Sequence, residues 1–159
     1  MELGVPQIDY FFNRYCITPG LMLDVGGAGA AITNVVTPKH VYEQLNLVEV
    51  KYNVKDDPYN WTMIADDTYD YTISTTTFEH IEYPWLTFLE MIRVTKPKGF
   101  IFVFVPGSGP IHKSPLDCWR IKPDGLRALG KLGNVDTIEV LEETTNLWEY
   151  CSGIYQKKG

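Results

Sequence analysis

Apolar residues along this chain fall into short blocks set apart by turn formers, and the blocks alternate between two kinds of spacing. Residues 21–25 (Leu-Met-Leu-Asp-Val) are almost continuously apolar and run into a glycine cluster. Such a run predicts a buried strand. Residues 47–50 and 71–75 give two further strand candidates. Residues 84–95 change period: Trp85, Phe88, Leu89 and Ile92 fall on one face at helical spacing. Pro84 suits the first turn of that helix, and Lys96-Pro97-Lys98-Gly99 ends it. Residues 100–105 are apolar without alternation, which predicts a central strand covered on both faces. A loop over residues 106–122 follows, and Pro123 opens a helix that runs through Leu132. Residues 138–141 and 148–155 read as two closing strands.

The rest of the chain adds shorter features. Residues 8–15 are aromatic-rich and predict a leading helix. A short helix within residues 29–36 is bounded by Pro38, and residues 40–45 allow another helical turn. Lys55 to Asn60 is dense in turn formers. Strands alternating with helices imply a largely parallel sheet covered on both faces. The fold class is therefore α/β: a Rossmann-like three-layer sandwich, mostly parallel, closed by an antiparallel hairpin around the polar residues 142–146. One domain fills residues 1–159, with a short N-terminal segment (1–20), a ligand-binding core (21–132) and the closing strands (133–159).

Composition narrows the function classes. Hydrophobic residues make up 45% and charged residues 21%, a balance that supports a packed core. Net charge is -6, and the basic residues are scattered apart from Lys96 with Lys98 and Lys157 with Lys158. No basic face emerges, so direct nucleic-acid binding is not expected. Cys16, Cys118 and Cys151 show no C-x-x-C spacing, which argues against a disulfide framework and suits a reducing compartment. The opening residues lack a basic stretch before an apolar run, and the longest apolar block is too short to span a bilayer. A soluble, cytoplasmic protein without membrane contact is expected.

The glycine cluster carries the first chemistry. In an open α/β sheet, ligands bind beyond the carboxyl ends of the strands, where strand order reverses. Gly26, Gly27 and Gly29 follow the first strand, and glycine there lets backbone approach a ligand with no side chain between. Asp24 can organise that loop or accept a hydrogen bond from a ligand ammonium. Glu49, near the end of the second strand, suits the two hydroxyls of a ribose. Asp57 precedes Pro58 and is placed either to meet an adenine amino group or to form an Asx turn.

These segments resemble class I methyltransferases. Residues 21–29 resemble their first motif, Tyr69-Asp70-Tyr71-Thr72-Ile73-Ser74 their fourth strand, and Phe78-Glu79-His80-Ile81 the "EH" segment after it. Arg93-Val94-Thr95-Lys96-Pro97-Lys98-Gly99 resembles the "R-V-L-K-P-G-G" passage. A narrower resemblance, to small methyltransferase-domain proteins, covers residues 57–61, 109–112, 117–120 and 123–125. The resemblance implies S-adenosylmethionine as cofactor, with Asp24, Gly26, Gly27 and Gly29 around its methionine part, Glu49 on the ribose and Asp57 on the adenine. Thr76 and Phe78 would pass beside the sulfonium, and Glu79 would contact the cofactor amine or orient a neighbour. Two departures stand out: Ala28 and Ala30 replace glycines of the first motif, and Lys98 replaces the first glycine of the later passage. Many relatives carry a longer helical cap before the first strand, so either the pocket is open and suits a large acceptor, or a homodimer or a partner chain supplies the lid.

Methyl transfer needs alignment and, for a hydroxyl acceptor, a group to take the proton. His80 and His112 are the candidates, both on the rim where an acceptor would sit. Asp117 and Arg120 flank Trp119 in the same loop; they form either an internal salt bridge or an acceptor contact. Trp61, Trp85 and Trp119 read as core or loop anchors. Glu79, His80, Glu82 and His112 match no strong metal-ligand spacing, so metal-free transfer is expected. The acceptor is undefined, with an oxygen on a saccharide or small metabolite preferred. Two alternatives stay open: a methyltransferase fold retained as a binding or structural module, possibly virus-encoded, and a nicotinamide-dependent oxidoreductase. The second would need Gly26-x-Ala28-x-x-Ala31 as its glycine motif, a poor match.

Overall fold

The computed structural model describes residues 5–26, 48–52 and 57–159. Helix α1 (Val5–Tyr15) leads into β1 (Leu21–Val25), β2 (Val48–Tyr52) and β3 (Tyr69–Thr75). A single 3-10 turn (Phe78–His80) precedes α2 (Pro84–Val94), β4 (Thr95–Ser108), α3 (Pro123–Leu132), β5 (Asp136–Thr144) and β6 (Glu149–Gln156). The described strands form one six-stranded sheet in the order β2-β1-β3-β4-β6-β5. Strands β2, β1, β3 and β4 pair in parallel, and β6 runs antiparallel between β4 and β5. This is the expected three-layer sandwich with its antiparallel closing hairpin. The helical segments expected within residues 29–36 and 40–45 lie outside the described residues.

Alternation along β4 explains why its sequence looks uniformly apolar. Ile101, Val103 and Val105 join the core on one face, where Phe88, Met91, Leu126 and Leu129 come down from α2 and α3. Phe102 and Phe104 join the opposite core, beneath Ile8, Phe11 and Phe12 of α1. Phe11 stacks on Phe102 with ring centroids 4.7 Å apart. Both faces of one strand are dry, so both registers of its sequence are hydrophobic. Completely burying each of these aromatic or aliphatic side chains contributes roughly 1.5–3 kcal/mol.

Two details differ from the pattern reading. Helix α2 buries Pro84, Thr87, Phe88, Met91 and Val94, while Leu89 is exposed. The buried stripe is rotated because Thr87, counted as polar in the sequence, satisfies its hydroxyl on Pro58 O at 2.7 Å and packs inward. Strand β4 also starts five residues early, at Thr95, and carries a bulge: Tyr69 faces Thr95, whereas Tyr71 faces Phe100. Residues 96–99 loop out between those pairings. Lys98 there has φ of 66°, and Lys96 Nζ binds Asp70 Oδ1 at 2.9 Å.

Candidate functional site

Sheet order reverses between β1 and β3. The chain leaves β1 toward β2 on one side, and β3 returns on the other, so the crevice at their carboxyl ends is the topological switch point. Gly26 makes the turn out of β1 with φ of 91°. A Cβ at that position would lie 2.3 Å from Thr77 Oγ1, so the two loops meet without room for a side chain. Thr77 Oγ1 in turn donates to Thr75 O at 3.0 Å, and Ser74 Oγ donates to Val25 O at 3.2 Å. Thr76 holds φ of 47° and donates its amide to Phe104 O, which pins the strand end to β4. Gly26 thus lets the two loops pack closely at the switch point, where folds of this kind take nucleotide-type cofactors.

The other expected cofactor contacts separate in the structure. Asp24 is the fourth residue of β1, and Glu49 lies in β2 opposite Met22. Gly27 and Gly29 lie outside the described residues. Asp57 Oδ1 accepts the amides of Tyr59 and Asn60 at 2.9 and 3.0 Å, the geometry of an Asx turn. Phe78 is wholly buried and belongs to the core with Leu23, Val25 and Phe88.

Beyond the 3-10 turn, the structure brings His80 and His112, expected on one rim, into contact. The loop after β4 lies across the turn, with the amides of Cys118 and Trp119 both donating to Glu79 O. That contact brings His112 against His80, ring centroids 4.8 Å apart and edge to face. Glu79 lies beneath both, with its Oε1 at 3.6 Å from His80 Nε2 and 3.7 Å from His112 Nε2. Its side chain is 1% exposed, and neither carboxylate oxygen has a hydrogen-bond partner. Burial pushes its carboxyl up to about 8 and pulls the His80 imidazole down. His80 Nδ1 sits 2.6 Å from Leu116 O. A carbonyl can only accept, so Nδ1 carries the proton and Nε2 presents a lone pair.

Asp117 and Arg120 form the internal salt bridge. Arg120 NH1 and NH2 donate to the two oxygens of Asp117 at 2.6 and 2.8 Å, and His112 N donates to Asp117 Oδ2 at 2.7 Å. The guanidinium holds the Asp117 carboxyl well below the usual carboxylate range. Arg120 also reaches Pro110 O and lies over Trp148, whose ring meets His112 edge to face at 5.1 Å. The pair thus fixes the loop that carries His112. Trp119 anchors to Ile81 O and Glu82 O through its indole N–H. It then lines an apolar cleft of about 370 Å³ with Trp85, Ile121 and Leu129, between α2 and α3 rather than at the switch point. Trp148 is the site neighbour that sequence reasoning missed. Its place follows only from the β5–β6 turn, which no local pattern ties to His112.

Comparison with known proteins agrees with this arrangement. Residues 30–103 match the methyltransferase domain family. Among solved structures, a Burkholderia thailandensis 1,6-didemethyltoxoflavin-N1-methyltransferase aligns with TM-score 0.70 at 12% identity, over 99% of this chain and 80% of that one. That structure holds 1,6-didemethyltoxoflavin and S-adenosylhomocysteine. A Bacillus halodurans C-125 protein assigned to the methyltransferases aligns with TM-score 0.69 at 10% identity, over 98% and 99% of the two chains. The methyltransferase-type partner of the Haloferax volcanii Trm112 activator aligns with TM-score 0.65 at 13% identity, over 95% and 88%. No curated protein shows significant sequence similarity. Residues 30–103 are thus similar to the methyltransferase domain family, and the whole chain shares the Rossmann-like fold of these methyltransferase structures. Among the described residues, no helix is long and apolar enough to cross a membrane.

Proposed function

We propose that this domain transfers the methyl group of S-adenosylmethionine to an acceptor seated on the rim formed by residues 76–82 and 109–120. The observation that carries the reading is the glycine turn that ends β1 at the point where strand order reverses. Gly26, Gly27, Gly29 and Asp24 hold the methionine part, Glu49 the ribose and Asp57 the adenine, with the backbone of Thr76 beside the sulfonium. Bound there, the cofactor supplies an electrophilic methyl group. The chain's own task is to align the acceptor, keep water out and take up a proton.

His112, whose side chain is 29% exposed, is the imidazole an acceptor reaches first. His80 is more enclosed and its Nδ1 is held by Leu116 O, so it positions His112 from behind. Arg120 and Asp117 hold the loop in register. An imidazole at the rim suits removal of a hydroxyl proton, which favours an oxygen on a saccharide or small metabolite. A second copy or a partner chain completes the lid; the Haloferax volcanii neighbour, bound to an activator, supports that part of the reading.

Calorimetry with S-adenosylhomocysteine and with NAD tests the cofactor, and a screen of acceptors with labelled donor tests the transfer. Binding of S-adenosylhomocysteine but not NAD is expected. If neither binds, the fold serves as a binding module and the proposal fails.

A further inference from the structure

Glu79, His80 and His112 bring together groups that lack a counterpart. The three ligand-type atoms lie within 4.8 Å of one another. Among the described residues, neither Glu79 oxygen nor His80 Nε2, all buried, has a hydrogen-bond partner. His80 Nε2 is a lone pair, because Nδ1 faces Leu116 O at 2.6 Å. The Nδ1 of His112 has Pro110 O and Arg120 NH2 at 3.5 Å and Asp117 Oδ2 at 3.9 Å. None of these atoms pairs with another: Oε1 stands 3.6 Å from one Nε2 and 3.7 Å from the other, too far for a hydrogen bond. Buried polar atoms in native proteins are otherwise almost always paired. A small cation in the middle satisfies all three at once.

We propose that Glu79, His80 and His112 bind a divalent transition-metal ion, of the Zn²⁺, Mn²⁺ or Co²⁺ class. Two imidazoles and one carboxylate are the donor set for such ions rather than for Ca²⁺ or Mg²⁺, which prefer oxygen throughout. Tetrahedral bonds of about 2.0–2.1 Å put ligand atoms about 3.3 Å apart, so the two measured separations need to shorten by only a few tenths of an ångström. The outer contacts also suit ligation. The far nitrogen of His80 is held by a backbone carbonyl, and that of His112 borders a carboxylate and a carbonyl, which fixes each ring's orientation. Three protein ligands with one partly exposed imidazole leave a side open to solvent or to an acceptor, and with an ion bound the His112 lone pair is engaged, so His112 acts as a base only in the metal-free chain. Spacing along the chain hides the set, because His112 joins it only through the loop that Cys118 and Trp119 tie to Glu79 O.

The test uses the full chain, stripped with chelator and titrated with Co²⁺ and Zn²⁺ without S-adenosylmethionine, so its outcome is separate from the methyl-transfer reading. Calorimetry is expected to give one ion per chain, and Co²⁺ to give the visible absorption of a low-coordinate nitrogen and oxygen site. Glu79→Gln and, independently, His112→Gln are each expected to weaken binding at least tenfold, with unchanged circular dichroism. Cys118→Ser removes the exposed thiol nearby and is expected to leave binding unchanged. Absence of stoichiometric binding by the unaltered chain overturns the proposal. So does binding that survives both Glu79→Gln and His112→Gln, or that is lost only with Cys118.

Discussion

Two carboxylates on the same rim are buried to the same degree and live in opposite circumstances. The side chains of Asp117 and Glu79 are 2% and 1% exposed. Asp117 accepts two guanidinium bonds from Arg120 and one from the His112 amide, while Glu79 accepts none. The first is a structural pair, three residues apart on one loop. The second has been carried into a dry site with two imidazoles for company. A fold can bury a satisfied charge for its own stability, but a buried carboxyl without partners lowers stability and needs a use. The difference between the two marks where function sits on this rim.

Breaking the satisfied pair has the largest effect. Arg120→Met leaves the Asp117 carboxylate buried without its partner, and a loss of about 4 kcal/mol is expected in urea unfolding. Arg120→Lys recovers only part of it, because an ammonium cannot donate two parallel bonds to one carboxylate. A loss below about 1 kcal/mol would mean that Asp117 is not held as described, and the contrast with Glu79 would collapse.

The unsatisfied carboxylate gives the opposite sign with pH. Folded Glu79 keeps its proton until about 8, whereas the unfolded chain releases it near the ordinary 4.5. Between those values the native state binds more protons than the unfolded state, so this group makes stability fall as pH rises. Asp117, held below the usual range by Arg120, makes stability fall only as pH drops through the acid range. In metal-free protein, Glu79→Gln is expected to flatten the upper slope, gaining up to about 4 kcal/mol at pH 8 and little at pH 4. Unchanged slopes in the variant would show that Glu79 is solvated or paired.

How far the sequence reveals each part follows from the range of the interactions. Strand β3, helix α3 and the closing hairpin were legible because burial repeats locally, at period two or 3.6. The buried stripe of α2 was misjudged at Leu89 and Thr87, since Thr87 is rescued by Pro58 O, a partner 29 residues away. Asp117 and Arg120 could be read as a pair because they are i,i+3 neighbours. Glu79, His80 and His112 could be named together, with both histidines on one rim, but their contact could not be read, because it depends on a loop crossing whose hydrogen bonds run between residues nearly 40 apart.

The same contrast of satisfied and unsatisfied positions exists in the backbone. Gly26 and Lys98 both have positive φ, at 91° and 66°, and only the first has the residue that such a backbone favours. Gly26→Ala adds a Cβ 2.3 Å from Thr77 Oγ1 as well as backbone strain. A loss of about 2 kcal/mol is expected, with abolished binding of S-adenosylhomocysteine. Retained binding would argue that the cofactor does not rest on this turn.

Lys98 is the milder case, and its sign is reversed. It stands where the resembling methyltransferase passage has glycine, in the bulge between the Thr95 and Phe100 pairings of β4. Its amide bonds Lys157 O at 2.9 Å, which holds the left-handed conformation in place against the preference of an L side chain. Lys98→Gly removes that steric cost and adds some freedom to the unfolded chain, so the two terms partly offset. The net expectation is a gain of about 0.5–1 kcal/mol in urea unfolding, with cofactor affinity unchanged because the bulge lies at the opposite end of β4 from the crevice. A loss of stability instead would mean that the long side chain of Lys98 contributes more by packing than its backbone costs, and the backbone half of the comparison would not hold.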